Sequence, residues 1–259
     1  MPKLAANLTL LFNEVPFLER FAAAAKAGFK GVEYLFPYDF PKDQLAEQLV
    51  KHQLVQVLHN LPAGDWAAGE RGIACHPGRS DEFKGGVERA IAYAKALGCT
   101  QLNCLAGVRP NRLDPNDARE IFIGNLQYAA PRLAAEGIKL LIEPINTRDI
   151  PGFLLNHTQQ AADIIKAVGS DNLFLQYDIY HMQIMEGDLA PTIEKHLARI
   201  PHMQLADTPG RNEPGTGEIN YDFLLPHLDR LGYKGWIGCE YKPRTTTEAG
   251  LGWAALYLG

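Results

Sequence analysis

Short runs rich in apolar and β-branched residues recur along the chain, and each gives way to a stretch in which apolar residues return every three or four positions. The runs are Leu4 to Leu10, Gly31 to Phe36, Leu54 to Asn60, Thr100 to Ala106, Lys139 to Ile145, Leu173 to Tyr180, His202 to Asp207 and Trp236 to Tyr241. The intervening spacing predicts helices over about 15 to 27, 42 to 52, 81 to 97, 116 to 136, 157 to 168, 187 to 198 and 221 to 232, with a shorter one near 247 to 257. Gly28, Gly98 and Gly232 fall just past helix ends, where a left-handed cap favours glycine. Eight strands alternating with helices are the pattern of a parallel sheet with helical crossovers. A doubly wound open sheet would announce a GxGxxG turn after its first strand, and none is present. The expectation is therefore an α/β fold, a single (β/α)8 TIM barrel, and 259 residues suffice for one. No linker or low-complexity tract interrupts the alternation, which predicts one domain over 1 to 259. The longest irregular piece, about Leu61 to Ser80, is long enough to be expected as a lid over a site.

Composition narrows the class. Hydrophobic residues make up 46% and charged residues 21%, a balance that builds a core rather than a disordered tail. A net charge of −5 offers no field for nucleic acid or an acidic membrane, so a small-molecule substrate is the expected partner. No apolar stretch approaches the roughly 20 residues of a membrane span, and Met1-Pro2-Lys3-Leu4 opens without a signal-peptide pattern, which predicts a cytoplasmic location. Cys75, Cys99, Cys104 and Cys239 form no CxxC pair and sit in or near apolar segments, as buried reduced thiols do. A homodimer is the default expectation for assembly.

Candidate chemistry lies where the strands end. Four late strands run into a polar side chain: Leu140-Leu141-Ile142-Glu143, Leu175-Gln176-Tyr177-Asp178, His202-Met203-Gln204 and Ile237-Gly238-Cys239-Glu240. In a barrel these C-terminal ends converge on one mouth. Two glutamates, an aspartate and an amide oxygen would make an all-oxygen set suited to Mg²⁺ or Mn²⁺. Taken singly, each carboxylate is as well read as solvated or capping a loop, and Gln204 as an amide satisfying backbone groups. His181 can supply a ligand or a substrate hydrogen bond, whereas His202, at a strand start, reads as structural. Asp207 is an outer carboxylate of the site or an exposed loop residue. His59 and Asn60 either reach a substrate or mark a turn, and Arg71 either clamps a substrate carboxylate or belongs to the surface. Gly215-Thr216-Gly217-Glu218 lacks the ending of a phosphate loop and reads as a tight turn; no GxSxG elbow or HExxH helix occurs.

With these residues placed, the sequence resembles the hydroxypyruvate isomerase family of the xylose-isomerase-like barrel superfamily. The resemblance rests on Phe12-Asn13-Glu14-Val15-Pro16-Phe17, Glu33-Tyr34-Leu35-Phe36-Pro37-Tyr38, Ile142-Glu143-Pro144, Tyr177-Asp178-Ile179-Tyr180-His181, the stretch Glu213 to Tyr221 and the stretch Gly235 to Pro243. It implies a divalent metal held by Glu143, Asp178, Gln204 and Glu240, with Glu143 and Glu240 also the acid/base pair. It implies interconversion of hydroxypyruvate and 2-hydroxy-3-oxopropanoate through an enediolate, while His59, Arg71 and His181 stay the candidate substrate contacts that their own positions offer. Related ketose 3-epimerases typically carry histidine where Gln204 stands. His59 to Trp66 looks like the 2-oxo-tetronate isomerases of the same family. A ketose 3-epimerase, a histidine-rich endonuclease on the same barrel and a non-catalytic sugar-acid binding protein are the rivals.

Overall fold

The apolar runs pair edge to edge. In the computed structural model, which describes residues 1–258, they form β1 (Lys3–Asn7), β2 (Gly31–Glu33), β3 (Val55–Asn60), β4 (Gln101–Cys104), β5 (Lys139–Ile142), β6 (Leu173–Asp178), β7 (His202–Leu205) and β8 (Trp236–Cys239). All are parallel, and β1 closes the ring on β8 with Leu4 beside Ile237, giving the expected eight-stranded barrel. The outer layer is α1 (Arg20–Lys26), α2 (Lys42–His52), α3 (Ser80–Leu97), α4 (Pro115–Ala134), α5 (Thr158–Val168), α6 (Ile179–Met185), α7 (Leu189–His196) and α8 (Tyr221–Arg230). Apolar stripes explain the packing: Phe122, Leu126, Ala129 and Leu133 recur at helical spacing on α4 and are buried. Among the described residues, no helix is long and apolar enough to cross a membrane.

The register sets the site. Asp178 on β6 stands beside Gln204 on β7, which stands beside Gly238 on β8. Gly31 is fixed by sterics, since a Cβ there would lie 2.8 Å from both Trp236 and Val57.

Several elements depart from the sequence pattern. The helix expected over 15 to 27 begins as a 3-10 turn, Phe17–Glu19, with Pro16 fixing its entry. The run 173 to 180 stops as a strand at Asp178, because that carboxylate accepts from the N–H groups of Tyr180 and His181 and turns the chain directly into α6. The final helix is a 3-10 segment, Glu248–Ala254. The expected lid is only partly free: Ile73, Ala74 and Cys75 are buried, and Gly72 crosses Gly107 so closely that a Cβ on it would lie 2.6 Å from the Leu105 carbonyl oxygen. Its exposed residues are Asp65 and Ala67 to Gly69 at the tip, and Pro77 and Gly78 before α3.

Candidate active site

The ends of β5, β6 and β8 deliver Glu143, Asp178 and Glu240, and the first turn of α6 delivers His181. All four are buried, and one donor atom from each lies within 4.8 Å of the others. His181 Nε2 is 3.6 Å from Asp178 Oδ2 and 4.0 Å from Glu143 Oε1. Neighbours hold each carboxylate in place. Asn103 on β4 donates to Glu143 Oε2 at 2.8 Å, Asn7 on β1 donates to Glu240 Oε1 at 3.3 Å, and Arg211 donates to Glu240 Oε2 at 2.8 Å.

Electrostatics distinguish this cluster from an ordinary polar patch. Burial raises the carboxyl of Glu143 well above the usual range, and Glu240 and Asp178 push it further up; Arg211 and Asn103 oppose the shift. Glu240 is raised by burial and by Asp178 and Glu33, against the pull of Arg211. Asp178 is also raised by burial, with Arg211 and two backbone N–H groups opposing. Three carboxylates thus share one guanidinium, and buried Asp178 Oδ2 has no hydrogen-bond partner among the described residues. Uncompensated buried negative charge with a free oxygen is what a divalent cation satisfies, so the residues present fit one.

The hydrogen bonds around His181 fix its tautomer. The Asp149 N–H donates to Asn146 Oδ1 at 2.7 Å, which turns the amide nitrogen of Asn146 toward His181 Nδ1 at 2.6 Å. The backbone N–H of Asn146 points at the same Nδ1 from 3.4 Å. Nδ1 is therefore an acceptor, and the ring proton sits on Nε2, facing the carboxylates. Burial, then Arg211, pushes the imidazole pKa well below its usual value and keeps the ring neutral.

The other sequence candidates sit in varied settings. Gln204 is buried beside Asp178; its Oε1 accepts from Gln176 at 2.6 Å and its Nε2 donates to Glu33 Oε1 at 2.8 Å. His59 is fully buried at the end of β3, its pKa lowered to about 4 by burial, and its Nε2 has no partner among the described residues. Arg71 does not reach the carboxylates here: Nη1 donates to the carbonyls of Trp66 and Glu70, and the guanidinium lies 4.2 Å over the Trp66 ring. His202 is structural, its Nε2 2.8 Å from Glu33 Oε2. Asp207 is neither exposed nor part of the cluster; its carboxylate accepts from the N–H groups of Thr208, Gly215, Thr216, Gly217 and Ile219 and so ties down the loop after β7. All four cysteines are free and buried, as expected.

That loop carries the residue the sequence pattern did not single out. Arg211 bridges Glu240 and Asp149, at 2.8 and 3.3 Å, and lies 5.0 Å over the Tyr180 ring. Its position four residues past a strand-end aspartate was the one available signal.

A family model described as xylose isomerase-like TIM barrel matches residues 21–257. The chain belongs to this family. Hydroxypyruvate isomerase of Escherichia coli (strain K12) is 54% identical over 257 residues, 99% of this chain and 100% of that protein. The 2-oxo-tetronate isomerase of Cupriavidus necator is 49% identical over 259 residues and the whole of both chains. Among solved structures, a crystal structure named as an AP endonuclease of family 2 from Brucella melitensis superposes over the full length of both chains with a TM-score of 0.98 at 51% identity. Within the xylose isomerase-like family this chain is therefore an isomerase, grouped with the hydroxypyruvate and 2-oxo-tetronate enzymes.

Proposed function

We propose that the protein is a metal-dependent isomerase of a small hydroxy-oxo acid and that it interconverts hydroxypyruvate and 2-hydroxy-3-oxopropanoate. The observation that carries this reading is the convergence of Glu143 and Glu240, from β5 and β8, on one buried cluster beside neutral His181. Glu143, Asp178, Gln204 and Glu240 would hold Mg²⁺ or Mn²⁺ with the oxygen lone pairs that Asn103, Asn7, Arg211, the N–H groups of Tyr180 and His181 and the Gln176 amide leave free. Bound there, the cation supplies electrophilic stabilisation as negative charge gathers on the substrate oxygens.

The chain's own residues do the rest. Isomerisation breaks a C–H bond on C3 of hydroxypyruvate and makes one on C2, while the C3 hydroxyl proton passes to the C2 oxygen. One glutamate takes the proton from C3 and the other returns one to C2. Burial makes both carboxylates better bases than in water, and Arg211 donates directly to Glu240 at 2.8 Å whereas Glu143 has the neutral Asn103 amide, so Glu240 is assigned the first abstraction and Glu143 the return. His181 Nε2–H donates to a substrate oxygen rather than ligating, as its tautomer requires. His59, which meets Tyr38 and the Asn60 carbonyl through Nδ1, would offer a substrate oxygen its Nε2, unpaired among the described residues, and Arg71 would have to leave its loop contacts to clamp the substrate carboxylate.

A four-carbon 2-oxo-tetronate is the second reading, supported by the 49% identity to an enzyme of that name. The net charge of −5 and a single four-residue cluster among the described residues speak for a small molecule over nucleic acid as substrate. Comparison of kcat/KM for hydroxypyruvate, 2-oxo-tetronates and free ketoses tests the assignment. A preference for an uncharged ketose would replace it with a 3-epimerase, and no turnover of any with Mn²⁺ present would favour a sugar-acid binding protein.

A further inference from the structure

Behind the carboxylate cluster lies a second buried acid that the mechanism above does not use. Glu33, at the end of β2, has no solvent exposure. Its Oε1 accepts from Asn7 Nδ2 at 2.9 Å and from Gln204 Nε2 at 2.8 Å, and its Oε2 lies 2.8 Å from His202 Nε2. The barrel wall is shaped around it: a Cβ at Gly238, two residues before Glu240, would overlap the Glu33 carboxyl group. A glycine at this point of β8 is therefore a requirement of Glu33 and not of the strand.

We propose that Glu33 is a positioning residue, which sets the amide orientation of Gln204 and, through Asn7, the seat of Glu240. This rests on the reading of Gln204 and Glu240 as part of the metal and proton-transfer site. Glu33 Oε1 is the acceptor in both contacts, so both amides turn their NH2 groups toward it. For Gln204 this directs Oε1 away from Glu33, to where it accepts from Gln176 and keeps a second lone pair. For Asn7 it places one N–H on Glu33 and the other on Glu240 Oε1. Burying a carboxyl group is costly, and an apolar filling of the same volume would often be as stable, which is the physical reason to look for a role beyond packing.

The test compares wild type, Glu33→Leu and Asn7→Ala by calorimetric titration of metal-stripped protein with Mn²⁺, by steady-state kinetics with hydroxypyruvate at saturating Mn²⁺, and by thermal melts. Glu33→Leu keeps a similar volume and removes the acceptor from both amides at once; glutamine would not, because both amides donate to the same oxygen, Oε1, which a glutamine can retain while its NH2 faces His202 Nε2. We expect Mn²⁺ affinity to fall about 10- to 100-fold, the usual effect of losing a residue that orients a metal ligand, with kcat lowered and KM for hydroxypyruvate changing less. Asn7→Ala should lower kcat and weaken Mn²⁺ binding by a smaller factor than Glu33→Leu, since it frees Glu240 while Gln204 stays held. A folded Glu33→Leu protein with wild-type Mn²⁺ affinity and kcat, whatever its melting temperature, would overturn the proposal. If that variant does not fold, an unchanged kcat in Asn7→Ala overturns it equally. Wild type that neither binds Mn²⁺ nor turns over would instead strike the functional reading on which this rests.

Discussion

Two groups of buried carboxylates occupy this barrel, and their charge is matched in different ways. At the mouth, Glu143, Asp178 and Glu240 share Arg211, and Asp178 Oδ2 is left without a partner among the described residues. Inside, Glu33 stands alone among Asn7, Gln204 and His202, its oxygens approached from three sides. Both groups are shielded from water, so burial by itself does not mark a site. What separates them is surplus: the first set holds three carboxylates against one guanidinium, which costs stability unless a cation arrives, while the second is a single acid with two amide donors on one oxygen and His202 2.8 Å from the other.

The largest expected effect breaks the comparison at the mouth. Glu143→Gln or Glu240→Gln keeps an oxygen donor but removes the proton acceptor, and each should lower kcat by at least ~10²-fold. The double variant should add little, because groups acting as a unit lose most of their effect at the first removal. Rates near wild type with saturating metal in either single variant would defeat the two-glutamate mechanism. Next in size is Asp178→Ala, which takes away the orphaned oxygen and should weaken Mn²⁺ binding more than Glu33→Leu does. Chelation should abolish turnover and added Mg²⁺ or Mn²⁺ restore it; full activity in stripped enzyme would remove the metal from the mechanism.

The surplus also has a thermodynamic signature. Burial raises the carboxyls of Glu143, Asp178 and Glu240 above their values of 4.5, 3.8 and 4.5 in an unfolded chain. Between those values and the raised ones, the metal-free native state binds more protons than the unfolded state. Its stability is then greatest at the acid end and falls as pH climbs through the raised pKa values. The buried neutral imidazoles of His59 and His181 oppose this below their ordinary value of 6.5, so the melting temperature of stripped protein should drop from about pH 6.5 to about pH 8, in proportion to the carboxylate linkage. Mn²⁺ at 100 times its Kd should return about 2.7 kcal/mol, or about 5 to 10 °C at this chain length. A stripped protein whose melting temperature rises over that interval would show that the cluster carries no surplus charge.

Sequence periodicity reached the barrel because strand and helix alternate with clean apolar spacing, and it reached Glu143, Asp178 and Glu240 because strand ends in this fold share a mouth. It did not reach Arg211, Asn103 or Asn7. Arg211 lies in the loop after β7, with no periodic signature, and comes to Glu240 only because Asp207 gathers five backbone N–H groups and folds that loop back. Asn7, Glu33 and Asn103 read as ordinary strand residues in one dimension, and their role depends on which neighbours the register brings beside them. The boundary at Asp178 was missed for a related reason: its side chain ends the strand by capping the next helix, a decision made by one hydrogen-bonding group and not by hydrophobic pattern.

The smallest expected effect concerns the two arginines, and it sharpens where the substrate carboxylate is held. Arg71 was the sequence candidate for that clamp, yet its guanidinium stacks on Trp66 and donates to two carbonyls of its own loop, whereas Arg211 already meets the cluster. If the loop tip delivers Arg71 when substrate binds, the residue exchanges loop contacts for a two-pronged bond to the carboxylate. The net gain is the difference of two similar terms, because an exposed cation–π contact of about 0.5–1 kcal/mol is given up. Arg71→Ala should then raise KM for hydroxypyruvate several-fold and leave kcat nearly unchanged, the mark of binding shared by ground and transition states. Arg71→Lys should not restore KM, since an ammonium neither stacks nor forks as a guanidinium does. An uncharged ketose should show no such change, and a KM for hydroxypyruvate unaltered in Arg71→Ala would leave Arg71 as a brace of its loop, with the carboxylate held on the Arg211 side of the mouth.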